Sequence, residues 1–117
     1  MEKGAHVAGT SELGTVTVSN EAIAQIVGHV AAESYGVVGM AGRRFARLRS
    51  RARLTDGIEV RGREGAVEIE LAVVIEHGLR LAEIAATLRE RVAYEVERQT
   101  GLRVASVEVR VEDVRRS

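Results

Sequence analysis

Three histidines, one pair of glutamates and one glycine-bracketed turn are the residues in this chain whose types and spacing bear on chemistry. His6, His29 and His77 lie far apart, and none stands at the His-x-x-x-His spacing that sets two imidazoles on one helix face for a metal. Glu68 and Glu70 are two apart and share a strand face, so both could act on one substrate. Such a pair works only where a cleft raises the pKa of one carboxyl, and no flanking residue builds that cleft. Ser11, Thr55 and Ser106 have no neighbouring base. Neither a Walker loop nor a G-x-G-x-x-G run is present to cradle a phosphate. Gly36-Val37-Val38-Gly39 has the GxxG form that clamps a nucleic-acid backbone in KH domains, but its middle residues are apolar where phosphates want polar ones. Base stacking on a sheet needs strand aromatics, and Tyr35, Phe45 and Tyr94 lie outside the central strands. The expectation is a protein that is not an enzyme, with no catalytic residues, cofactor or metal.

One stretch concentrates charge instead. Gly42 to Leu54, GRRFARLRSRARL, holds six arginines in thirteen residues and no acid. The whole chain has 17 basic and 17 acidic residues; without those six arginines, eleven bases face seventeen acids, a net charge of −6. In a helix, Phe45, Leu48 and Ala52 form one stripe with arginines around the rest, the pattern of a segment lying on anionic lipid or an acidic partner. In an extended chain, Arg47, Arg49, Arg51 and Arg53 share a side and can follow a phosphate backbone. A solvated loop that only aids solubility is the third reading. Arginine favours binding over solubility, because its fork pairs bidentately with carboxylates and phosphates. The candidate interaction surface is therefore Arg43, Arg44, Phe45, Arg47, Leu48, Arg49, Arg51 and Arg53.

A domain of 117 residues must hold this segment in place. That length suits one core of two packed layers. Aromatics are 3% of the chain, so Val, Ile, Leu and Ala must fill it. There are no cysteines, hence no disulfides or thiolate sites, which fits a cytoplasmic setting. No apolar run is long enough to cross a bilayer.

Leu13 to Val18 alternates as a strand, and Ser19 caps a helix with Glu21 in its first turn. Ile23, Ile26, Val27 and Val30 line one face of that helix to about Ser34, and Tyr35 to Gly42 reads as a tight connection. Ile58–Arg61 and Ala66–Glu76 alternate around Gly62–Gly65, a hairpin pattern. The second of these strands turns apolar on both sides at Ala72 and Val74. Leu81 to Thr100 is a helix with Leu81, Ile84, Ala85, Leu88, Val92 and Val96 in a stripe and an Arg91–Glu95 pair on its exposed side. Gly101 stops it, and Val104–Val111 is a last strand. The predicted fold is α+β, a two-layer sandwich in which two amphipathic helices cover one face of a small mixed or antiparallel sheet, in the order β-α-β-β-α-β. Residues 1–12 are expected as a loose tail, 13–114 as the domain and 115–117 as a short C-terminal tail.

GTVTVSNEAIAQIVGHVAAESYGVVGMAG, GIEVRGREGAVEIELAVVIEHG and TGLRVASVEVRVEDV, in this order, resemble the alkaline shock protein family of bacterial envelope stress response proteins. The likeness runs from about Leu13 to Val114. It implies a small cytoplasmic α+β protein without known catalysis, tied to the cell envelope and to alkaline or general stress. It also implies self-association and, for some members, a membrane-anchored protein partner at the inner face of the membrane. The family supplies no catalytic residues to carry over, and its members vary between the GVVGM turn and the hairpin. Function is thus expected as a non-enzymatic interaction or scaffold module at the cytoplasmic face of the membrane. A membrane-anchored partner protein, a second copy or an anionic membrane surface would be its contacts. The alternative is a nucleic-acid-binding domain that uses the same arginines.

Overall fold

The computed structural model describes residues 6–11, 14–41 and 55–116. Their order is β1 (His6–Ser11), β2 (Gly14–Ser19), α1 (Asn20–Ala32), β3 (Val37–Met40), β4 (Ile58–Arg63), β5 (Ala66–Glu76), α2 (Leu81–Thr100) and β6 (Arg103–Arg115). The expected β-α-β-β-α-β order is present, with β1 and β3 added to it.

β5 is the spine. β4 pairs antiparallel with its first half, Ile58 opposite Leu71 and Arg63 opposite Ala66. β3 pairs antiparallel with its last residues, Met40 opposite Val73 and Val37 opposite Ile75. β6 runs parallel along the other edge, from Arg103 opposite Ala66 to Arg115 opposite Glu76. A parallel neighbour requires a crossover, and the twenty residues of α2 provide it. The sheet is therefore mixed, with β3 and β4 in tandem on one edge and β6 alone on the other.

Alternation in β5 decides where the core sits. Val67, Ile69, Leu71, Val73 and Ile75 point to one side and are buried against Ile23, Val27 and Val30 of α1 and Leu88, Val92 and Val96 of α2. Both helices thus cover one face, as the two-layer reading requires. On the second face Glu68 and Glu70 are partly exposed, while Ala72 and Val74 are buried, so the later half of β5 is covered on both sides.

Local signals set the helix ends. The Ser19 hydroxyl accepts the Ala22 N–H at 3.0 Å and begins α1. At the far end of α2, Gly101 takes a left-handed conformation and donates its N–H to Glu97 O at 2.9 Å.

Four expectations are corrected. Residues 6–11 are not tail but strand β1, in register with β2 from His6 opposite Ser19 to Ser11 opposite Gly14. The hairpin packs at the turn end of the sheet, where the Gly9 backbone lies so close to Leu102 that a Cβ would meet its Cδ2 at 2.6 Å. Val37–Met40, read as an irregular connection, is extended because β5 offers it an unpaired edge beyond β4. The Arg91–Glu95 pair is replaced: Glu95 is held by Arg98 at 2.8 Å, and Arg91 reaches across to Ser34, just past the end of α1. In addition, β6 continues past Val111 to Arg115, into the expected C-terminal tail.

Candidate interaction surfaces

Arg43, Arg44, Phe45, Arg47, Leu48, Arg49, Arg51 and Arg53 lie outside the described residues, within 42–54. Both points where the chain leaves and re-enters the sheet are described. Ala41 donates its N–H to Ala72 O at 3.0 Å, and Gly57 O accepts the Ala72 N–H at 2.9 Å. One β5 residue thus fastens both flanks of the basic segment. The fit is close: Gly57 has φ of +78°, and a Cβ there would meet Ala41 O at 2.5 Å. Between them the sheet edge changes hands from β3 to β4, so the chain leaves and re-enters at the middle of that edge.

The face of the sheet away from the helices carries a charge lattice. Arg61 Nη2 donates to Glu70 Oε2 at 2.8 Å, and the same guanidinium lies 3.8 Å from Glu68 and 3.5 Å from Glu59. Arg63 adds a contact to Glu68 at 3.6 Å. The hydrogen bond from Arg61 holds the Glu70 carboxyl below the usual carboxylate range, with that arginine's charge acting in the same direction. The two glutamates singled out for acid–base work therefore share a face as expected, but Glu70 is a paired, ionised carboxylate and not an acid with a raised pKa.

A family model matches residues 8–116, almost the whole chain, with the description of the alkaline shock protein 23 family and a cell envelope-related function. The chain belongs to that family. Two relatives agree with the match over nearly their whole lengths. The uncharacterized protein YloU of Bacillus subtilis is 29% identical over 110 residues, covering 90% of this chain and 92% of its own. The uncharacterized protein Spy1614 of Streptococcus pyogenes serotype M6 is 29% identical over 107 residues, covering 87% and 88%. No solved structure matches the chain.

On the helix side of this alkaline shock family member, α1 and α2 border a cleft of about 400 Å³. Gln25, His29 and Glu33 line it from α1, and Arg91, Glu95 and Gln99 from α2. Arg91 Nη1 donates to the hydroxyl of Ser34 at 3.0 Å, and that buried hydroxyl donates to Val30 O at 2.7 Å. The arginine thereby ties the end of α1 to α2. Both donors and acceptors line the cleft, which suits hydration or a small polar group and singles out no reaction. Tyr94 at 64% and Tyr35 at 77% exposure stand separately on the surface.

The remaining singled-out residues stay apart. His29 is exposed on α1, and His77, in the turn after β5, donates its N–H to Arg115 O at 2.7 Å. The GVVG stretch is built into the β3 edge. Among the described residues, no three of His, Cys, Asp and Glu form a metal-holding group, and no helix is long and apolar enough to cross a membrane. The Arg91–Ser34 tie escaped the sequence reading because its partners are 57 positions apart and no periodicity links them.

Proposed function

We propose that this family member serves the cell envelope as a non-catalytic interaction module at the cytoplasmic face of the membrane, with the basic segment as its handle. The observation that carries the reading is the fastening of both flanks of a six-arginine, acid-free segment to one residue, Ala72, on a body of charge −6. Like charges this dense repel one another, so docking an anionic surface relieves that repulsion as it forms pairs. The occupant is the acidic surface of a membrane-anchored partner protein. Arg43, Arg44, Arg47, Arg49, Arg51 and Arg53 supply the charge, and Phe45 and Leu48 supply apolar anchors. The envelope-related family function supports this choice of partner.

The test is capture of partners from a bacterial membrane extract, alongside titration with anionic vesicles and with short RNA and DNA duplexes over a range of salt. Capture of a membrane-spanning protein by the native chain, lost when all six arginines are glutamine, is the expected result. Nucleic acid bound with a logarithmic salt slope approaching about five, the value for six phosphate contacts, would replace this reading with the nucleic-acid one. A partner held equally well by the glutamine chain would remove the segment from the contact.

A further inference from the structure

The outer edge of β6 presents backbone that nothing described here covers. Ala72 turns both its backbone groups toward Ala41 and Gly57, on the β3/β4 side. In a parallel ladder the residue opposite it, Arg110, must then bond to β5, while its neighbours Val109 and Val111 turn their N–H and C=O groups outward. The ladder is regular from Ser106 to Val111, between bulges at Ala105 and Glu112, so Val107 also faces out. Among the described residues, hydrogen bonds close the strand only near its ends, where Glu97 accepts the Val104 N–H at 2.9 Å and Asp113 accepts that of Val114 at 2.9 Å. Among the described residues none reaches the outer edge between Val107 and Val111.

An exposed edge is ordinarily blunted by proline, by charged side chains, by bulges or by a covering segment, and here the bulges leave Ser106–Val111 regular between them. This chain has no proline, and its edge charges alternate in sign. We propose that β6 pairs antiparallel with β6 of a second copy about a twofold axis at Val109. Read against itself in that register, Val107-Glu108-Val109-Arg110-Val111 sets Val107 opposite Val111 and Glu108 opposite Arg110, twice over. All the valine pairs are then of the kind that exchanges both hydrogen bonds. The Arg110 side chain is 54% exposed, and Glu108 is exposed beside it. Shifting the axis to Glu108 sets glutamate against glutamate, and shifting it to Arg110 sets arginine against arginine, so charge selects one register. Val107, Val109 and Val111, half-buried at the rim of the core, become interior to an eight-stranded sheet with all four helices on one side. The pairing uses no residue of the basic segment and stands apart from the function proposed above.

Sedimentation of the whole chain between about 1 and 100 µM, with circular dichroism as a check on folding, tests it. The native chain should dimerise. Glu108→Arg and Arg110→Glu each set like charges opposite one another at both crossings and should raise Kd about tenfold or more. Mixed in equal amounts, the two variants should recover the native affinity, because each then meets its complement. Val109→Pro removes an outward N–H that the monomer does not use, so it should stay folded and monomeric. A native chain that is folded and monomeric at 100 µM overturns the proposal. So does a dimer indifferent to both charge reversals, or one lost when the six arginines of the basic segment become glutamine.

Discussion

The two edges of β5 carry different neighbours. On one, β3 and β4 meet at Ala72, the chain departs and returns there, and Asn20 at the start of α1 donates its side-chain N–H to Val60 O at 2.9 Å. On the other, β6 runs the length of β5 with bulges at Ala105 and Glu112, and among the described residues hydrogen bonds close its outward backbone only near its ends. The first edge is interrupted where the chain leaves at Ala41 and returns at Gly57, the arginine-rich sequence lying between those points. The second is continuous and displays main chain. Both contacts proposed above leave the core undisturbed, since both edges share one spine and the helices occupy the face between them.

If β5 is common to both edges, damage to it should be felt by the whole domain. Leu71 is fully buried between β4 and β6 and under both helices. Leu71→Ala should cost about 3 kcal/mol in urea unfolding, through lost burial and the cavity left behind. The transition should remain single. Two separate transitions would mean that the edges unfold independently, and the shared-spine picture would fail.

A glycine pair separates the edges more finely. Gly57 and Gly65 have nearly the same backbone angle, φ +78° and +79°, but Gly57 is pressed against Ala41 O while the nearest atom to a Cβ at Gly65 is 3.9 Å away. Gly65→Ala should cost about 1 kcal/mol for the left-handed conformation alone. Gly57→Ala adds a clash with main chain that no rotamer relieves, for a total of about 2–3 kcal/mol. It should also loosen the fastening of the basic segment and weaken any contact made there, leaving β6 self-association unchanged. Equal costs at the two glycines would show that β3 and β4 are not tightly joined at Ala72.

How much of this was legible in the sequence follows from the range of each signal. α2 was read from Leu81 to Thr100, its observed bounds, because a stripe at spacings of three and four and a terminal glycine are local features. The β4–β5 hairpin and the burial of Ala72 and Val74 were legible for the same reason. β3 was not, because Val37-Val38-Gly39-Met40 is extended only by virtue of β5 some 35 positions later. The arginine density of 42–54 is plain in the sequence, whereas its fastening at Ala72 depends on pairing across the sheet. The parity of β6, in which Val109 faces outward and Arg110 bonds inward, likewise follows from hydrogen bonds on the opposite edge of β5.

Asn20 tests how the β4 side is closed. It is buried, its N–H serves Val60 O, and its Oδ1 has no hydrogen-bond partner among the described residues. Asn20→Ala leaves the Val60 carbonyl without its donor and should cost about 1–2 kcal/mol. Hydrogen exchange should quicken in β4 and stay unchanged in β6. Equal acceleration on both edges would break the distinction between a closed edge and a bare one.

The smallest effect concerns the charge lattice spanning the strands between the edges. The hydrogen bond from Arg61 depresses the Glu70 pKa, burial opposes this, and the charge of Arg61 adds to it. A carboxyl whose folded pKa lies below its unfolded value, near 4.3 for glutamate, contributes stability that is fully present above that value. The contribution fades as pH falls through the lower, folded pKa. Glu70→Gln should therefore lose stability against the native chain at pH 7, and the difference should shrink steadily from about pH 5 to pH 3. Salt should shrink it as well, since Arg61 is more than half exposed and its pairs are screened. Chemical unfolding of both chains across that pH range reads the effect directly. A difference that grows toward acid would mean that burial disfavours the Glu70 carboxylate more than Arg61 supports it, and the face joining the two edges would then weaken the fold.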